Sequence, residues 1–167
     1  MSLHCDIRPA QLDDRPAIIA LADQIWRAHY PDMISVEQID YMLAQRYHPE
    51  ALREQITGPD QWFDLVFVEG ELSGFAQYLL KEPGEMKLDK LYLLPSLHGK
   101  GYGSRLIHHV KKKAREQGCE RLVLSVNKQN QKAIDAYLRN GFRIRESIVV
   151  DIGGGFVMDD YVMEKDL

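Results

Sequence analysis

The sequence predicts an α+β or α/β sandwich, built on a mixed sheet that is not all parallel, and three observations predict it. Apolar residues recur at helical spacing through the first third. The middle carries β-type runs separated only by turn signals, and strands then alternate with helices to the end.

Asp13-Asp14 precede Pro16, and Ile18, Leu21, Ala22 and Ile25 follow at helical spacing, so a capped amphipathic helix is expected to about Tyr30, where Pro31 ends it. Ser35-Val36-Glu37-Gln38 has capping-box spacing and opens a second helix through Ile39, Met42 and Leu43; Pro49 suits the first position of a short third one. Trp62–Glu69, Leu72–Lys81 and Met86–Leu94 read as an antiparallel meander, split at Glu69-Gly70-Glu71 and Glu82-Pro83-Gly84-Glu85. A helix from Gly103 to Gln117 aligns Leu106, Ile107, Val110 and Ala114 and closes at Gly118. Arg121–Val126 is a short strand and Ala133–Arg139 a short helix stopped by Asn140-Gly141. Two last strands flank Gly153-Gly154-Gly155.

The 167 residues suit one domain, and 45% hydrophobic with 28% charged residues is the balance of a globular chain. A formal net charge of -4 gives no global attraction to nucleic acid or to an anionic membrane. Neither an apolar span nor a signal core is present, and Met1-Ser2-Leu3 reads as a cloning remnant. Cys5 and Cys119 form no C-x-x-C, which fits a reducing cytoplasm. The histidines have no metal spacing, so no metal is expected.

The most informative segment runs from Leu94 to Ser104, where a strand ends, Gly99, Gly101 and Gly103 alternate, and a helix begins. Such a turn lets backbone approach a ligand closely, and amides at a helix start can cradle a pyrophosphate; a plain strand-to-helix connection is the alternative. Lys100 precedes Gly101 instead of following G-x-x-x-x-G, and no glycine follows Gly103 at the spacing of G-x-G-x-x-G. The nucleotide P-loop and the dinucleotide fingerprint therefore do not match.

His98-Gly99-Lys100-Gly101-Tyr102-Gly103 resembles the acyl-CoA signature [Q/R]-x-x-G-x-[G/A] of the GNAT superfamily of N-acetyltransferases, with His98 standing where Gln or Arg is usual. Asn130, Ala133, Tyr137, Gly141 and Phe142 are similar to that family's N-x-x-A-x-x-x-Y-x-x-x-G-F. The resemblance spans roughly residues 5–165 and implies one GNAT domain over 1–167, with a mostly antiparallel central sheet flanked by helices. Trp26–Tyr30, Tyr41-Met42-Leu43, Tyr47-His48-Pro49-Glu50 and Met158–Lys165 loosely resemble bacterial polyamine-type acetyltransferases.

Acyl transfer from a thioester to an amine needs an unprotonated amine, a polarised carbonyl and a proton for the leaving thiolate. The resemblance implies that Tyr137 gives that proton, a phenol near pKa ~10 being matched to a thiol near ~8.5; packing on the sheet is its other role. Asn130 contacts the pantetheine arm or caps the helix after it, and the two are compatible. In Lys87–Leu94, alternation puts Asp89, Leu91 and Leu93 on one face and Lys90, Tyr92 and Leu94 on the other. Asp89 matches a carboxylate that deprotonates the amine through water in some members. As an aspartate near pKa ~4 it serves equally as counter-charge or salt-bridge partner.

The resemblance further implies that backbone at Leu91, Tyr92 and Leu93 pairs with pantetheine and that the Leu93 region supplies an oxyanion-stabilising N–H. His98, Gly99, Lys100, Gly101, Tyr102, Gly103 and Ser104 would then hold the pyrophosphate of acetyl-CoA, with Lys100 adding charge. Lys111-Lys112-Lys113 and Arg115 read as a solvated helix face.

Trp26, His29, Tyr30, Asp159 and Asp160 are the residues expected to select the amine; for Asp159-Asp160 a solvated turn is the plainer account. The reading is direct transfer in a ternary complex from acetyl-CoA to a small primary amine, polyamine-like in class, with no nucleic-acid or membrane partner. A non-catalytic acyl-CoA sensor, an enzyme for longer acyl donors and one for protein N-termini are the alternatives. The protein is expected to be a monomer or a homodimer, an exposed final strand offering an edge.

Overall fold

The computed structural model describes residues 4–167; Met1–Leu3, read above as a cloning remnant, lie outside the described residues. The elements run β1 (Cys5–Pro9), α1 (Arg15–His29), α2 (Val36–Arg46), α3 (Pro49–Thr57), β2 (Gln61–Val68), β3 (Glu71–Glu82), β4 (Glu85–Leu93), α4 (Tyr102–Glu116), β5 (Arg121–Asn127), α5 (Gln131–Arg139), β6 (Arg143–Gly153) and β7 (Phe156–Asp166). The strand order is β1-β2-β3-β4-β5-β7-β6. This is a mixed, mostly antiparallel sheet. Its contacts group into two compact units: residues up to Tyr78 with Lys90–Gly103, and Leu79–Asp89 with Ser104–Leu167.

In the first unit α1 buries Ile18, Leu21, Ala22, Ile25 and Trp26, one stripe at helical spacing. The cap expected at Asp13-Asp14 is not made. Asp14 instead accepts from the Gln11 amide at 2.7 Å and from the Arg8 guanidinium at 3.1 Å, closing a 3-10 turn over Leu12–Asp14. Ser35 does cap α2, its Oγ accepting from the Gln38 amide at 3.1 Å. Pro49 opens α3, and His48 caps it by accepting from the Ala51 amide through Nδ1 at 3.2 Å.

The sequence reading missed β1, which pairs antiparallel with β2 from Cys5↔Val68 to Pro9↔Asp64. Five residues ending in proline carry too little period to announce a strand; the distant partner makes it one. Two residues, Glu69 and Gly70, join β2 to β3, both with positive φ (51° and 79°). Neighbouring strands so joined can only be antiparallel. Pro83 and Gly84 likewise join β3 to β4.

In the second unit Glu85–Leu88 of β4 pairs parallel with Arg121–Leu124 of β5, and β5 pairs antiparallel with β7 from Arg121↔Asp166 to Asn127↔Asp160. The α4 helix buries Leu106, Ile107, Val110 and Ala114, and Gly118 follows it at φ 77°. The hairpin β6–β7 turns at Gly154-Gly155. The final strand β7 lies between β5 and β6, so it is β6 that forms the edge, correcting the expectation of an exposed final strand. Ile144, Val149 and Val150 are exposed along that edge.

Candidate active site

In the first unit β4 ends at Leu93, a 3-10 turn follows at Pro95–Leu97, and His98 turns back, its Nε2 3.0 Å from the Leu93 carbonyl oxygen. A carbonyl has no proton, so Nε2 donates. Gly99 and Gly101 then adopt φ of 73° and 88°, in the left-handed region that glycine enters without strain. No atom lies within 4 Å of where a Cβ would stand on either. α4 begins at Tyr102, so this open backbone leads directly into the unpaired amides and the positive dipole end of a fifteen-residue helix. A pyrophosphate fits such a place, and Lys100 beside it is exposed.

The same unit gathers three of the residues expected to select the amine, Trp26, His29 and Tyr30. Trp26, 1% exposed, packs its ring 4.7 Å from Tyr30, 5.7 Å from Tyr92 and 5.9 Å from Tyr47. Its indole N–H is buried and finds no acceptor among the described residues. The Tyr30 and Tyr92 hydroxyls are hydrogen-bonded at 3.0 Å, and burial, reinforced by Tyr92, pushes the Tyr30 phenol well above its ordinary pKa. Tyr30 therefore stays neutral. His29 stands edge-on to Tyr30 at 4.9 Å and to His98 at 6.4 Å. Thus Trp26, His29 and Tyr30 meet Tyr92 and His98, residues assigned above to the other substrate.

Sequence reasoning missed three contributors here. Lys90 is 2% exposed, with Nζ 5.2 Å over the Tyr47 ring, and the Arg46 guanidinium lies 5.9 Å from Trp26. Alternation did signal Lys90, because it shares a face with the buried Met86 and Leu88. The third is Gly74 of β3, where a Cβ would stand 2.5 Å from the Tyr92 carbonyl oxygen.

The second unit holds Asp89, Ser104, Asn130, Tyr137, Asp159 and Asp160. Asp89 is partly buried, with Oδ1 3.8 Å from Lys87 Nζ, so its carboxylate has a cation on the same strand face. Asn130 is buried and caps α5, its Oδ1 accepting from the Ala133 amide at 3.3 Å. Tyr137 is half-buried on α5, edge-on to Phe142 at 5.6 Å. Asn140 donates from Nδ2 to Ser104 Oγ at 3.2 Å, tying the end of α5 to the first turn of α4.

Asp159 and Asp160 do not form the solvated turn weighed above, nor a joint acidic pair. They are successive residues of β7 and point to opposite faces. Asp159 is exposed and bridged to Lys128 at 2.7 Å, whereas Asp160 is 1% exposed. Cys119 is buried after α4, and burial pushes its thiol up. Among the described residues no three His, Cys, Asp or Glu side chains cluster as metal ligands would, and no helix is long and apolar enough to cross a membrane.

Comparison with known proteins gives a consistent result. The model of the acetyltransferase (GNAT) family matches residues 21–142. An uncharacterised N-acetyltransferase of Mycobacterium tuberculosis is 28% identical over 156 residues, 93% of this chain and 99% of that protein. The spermidine N(1)-acetyltransferase of Thermoplasma acidophilum is 26% identical over 164 residues, 96% of each chain. The PaiA N-acetyltransferase of Thermoplasma acidophilum, solved in complex with coenzyme A, superposes with a TM-score of 0.85 at 27% identity over 100% of both chains.

Proposed function

The chain belongs to the GNAT acetyltransferase family, and on that premise we propose that it transfers the acetyl group of acetyl-CoA, in a ternary complex, to a primary amine of a small polyamine-like molecule. The observation that carries the reading is the strand, glycine turn and helix from Leu93 to Tyr102, with open left-handed backbone at Gly99 and Gly101. The similarity to a spermidine N(1)-acetyltransferase over nearly the whole chain supports the acceptor class.

When bound, acetyl-CoA supplies an acyl group activated as a thioester. The amides from Gly99 to Ser104 and the Lys100 ammonium hold its pyrophosphate, with His98, Tyr102 and Gly103 shaping the turn. Backbone at Leu91, Tyr92 and Leu93 aligns the pantetheine arm, and the Leu93 N–H polarises the acyl carbonyl. Asn130 holds the arm while capping α5. Tyr137 keeps a proton at Oη for the departing sulfur, a transfer between groups of similar acidity. Asp89 receives the ammonium proton through water or balances its charge, and Trp26, His29 and Tyr30 select the acceptor.

A raised thiol pKa at a buried Cys119 supports direct transfer over a thiol relay, because the nucleophile would have to be the thiolate. Two free, buried cysteines are in keeping with a cytoplasmic site of action.

The test is release of CoA thiol from acetyl-CoA against polyamines, amino acids, aminoglycosides and N-terminal peptides, with acetyl-CoA binding followed by calorimetry. Turnover is expected with polyamines. Binding without turnover on any amine would replace the reading by a sensor, and turnover confined to peptides would replace the acceptor class.

A further inference from the structure

Leu93 is the last residue of β4, the place where a strand usually loosens into its loop. Here both of its peptide planes are held. The plane between Leu93 and Leu94 is fixed at each end: the Leu93 carbonyl accepts from His98 Nε2 at 3.0 Å, and the Leu94 amide donates to the Ser73 carbonyl at 2.9 Å. The plane between Tyr92 and Leu93 is held by close approach. A Cβ on Gly74 would stand 2.5 Å from the Tyr92 carbonyl oxygen, 2.6 Å from Leu93 Cδ2 and 3.2 Å from Leu93 Cα. Only glycine lets β3 come so near. The segment that returns His98 is itself folded, with the Leu97 amide donating to the Leu94 carbonyl at 2.9 Å and the His98 amide to the Pro95 carbonyl at 3.1 Å.

We propose that His98 is a positioning residue, with Gly74 as its counterpart across the strand: together they fix the direction of the Leu93 N–H, the donor proposed to polarise the acyl carbonyl. His98 acts through the Leu93 peptide and not by touching the acyl group. The inference rests on the acetyl-transfer reading above. What position 98 must supply is an N–H donor long enough to reach back to the Leu93 carbonyl. Imidazole, amide and guanidinium all provide one, which gives a physical reason for His98 to stand where the signature has Gln or Arg.

The test compares the full-length protein with His98→Ala and His98→Gln. The Leu93 carbonyl ¹³C shift is read without acetyl-CoA, and kcat and the KM for acetyl-CoA are measured with the best amine of the panel. In H98A the carbonyl signal should move upfield and kcat should fall on the order of tenfold to a hundredfold, the cost of a slightly misplaced donor. The fall in kcat should exceed any rise in KM, and H98Q should return signal and kcat toward the parent values. Gly74→Ala, its folding checked by thermal melting, should lower kcat in the same way. An unmoved carbonyl signal in H98A would overturn the proposal, as would a moved signal with unchanged kcat, or a raised KM with unchanged kcat. Absence of turnover in the parent protein would overturn the acetyl-transfer reading instead; the carbonyl shift would still decide whether His98 holds Leu93.

Discussion

Asn130 caps α5 and, in the proposed function, also holds the pantetheine arm, and one pair of substitutions tells the two apart. Its Oδ1 caps α5 through the Ala133 amide at 3.3 Å, and the side chain is buried. Asn130→Ala removes the cap, a loss of about 1–2 kcal/mol at a buried helix start. For a chain of this length that lowers Tm by about 2–8 °C. Asn130→Ser restores a capping oxygen, so most of that Tm should return. Neither variant has an amide to offer the pantetheine arm. Loss of one such hydrogen bond weakens acetyl-CoA binding by about three- to tenfold in both. Differential scanning calorimetry reads the first effect and titration calorimetry with acetyl-CoA the second. Recovery of affinity together with Tm in N130S would refute the pantetheine contact. An unchanged Tm in N130A would refute the cap.

Three further outcomes follow from the same geometry. Tyr137→Phe keeps the edge contact with Phe142 but loses the hydroxyl, so kcat should drop by about 10²- to 10⁴-fold with acetyl-CoA affinity nearly unchanged; unchanged turnover in single-turnover assays would remove Tyr137 as proton donor. Cys119→Ser should keep most of the parent's turnover, because a buried thiol with a raised pKa is a poor nucleophile, and complete loss in a folded variant would reinstate a thiol relay. The hydrogen bond from Arg8 holds the Asp14 carboxyl below its ordinary value, so its contribution is complete above the unfolded pKa near ~4 and is lost as pH falls through the lower folded value. The Tm gap between the parent and Asp14→Asn should therefore close on acidification, and a gap that widens toward low pH would contradict the pairing.

What could be read from the sequence was local in origin. The α4 stripe, the turn at Gly99 and Gly101, the Ser35 cap and the two-residue hairpins depend on residues a few positions apart, and they stand where spacing put them. What escaped depends on partners far along the chain. β1 exists because Val68 and its neighbours pair with it, and the buried Lys90 sets its Nζ over the ring of Tyr47, far back along the chain. Asp14 illustrates competition between local choices: the Gln11 amide and Arg8 claimed a carboxylate that spacing offered to α1. The candidate site divides in the same way. The glycine turn and the α5 block each announce themselves, whereas the closeness of His98 and Gly74 to Leu93 becomes visible only when β3, β4 and the turn lie side by side.

The placement of β7 between β5 and β6 bears on how the protein is made. On the ribosome β5 and β6 emerge first, yet each finds its antiparallel partner only in residues 156–166. Until that strand leaves the exit tunnel, Val149 and Val150 sit on a nascent segment with no sheet to join. Neither β5 nor β6 can complete its antiparallel pairing before β7 is free to pair, so the three strands assemble together.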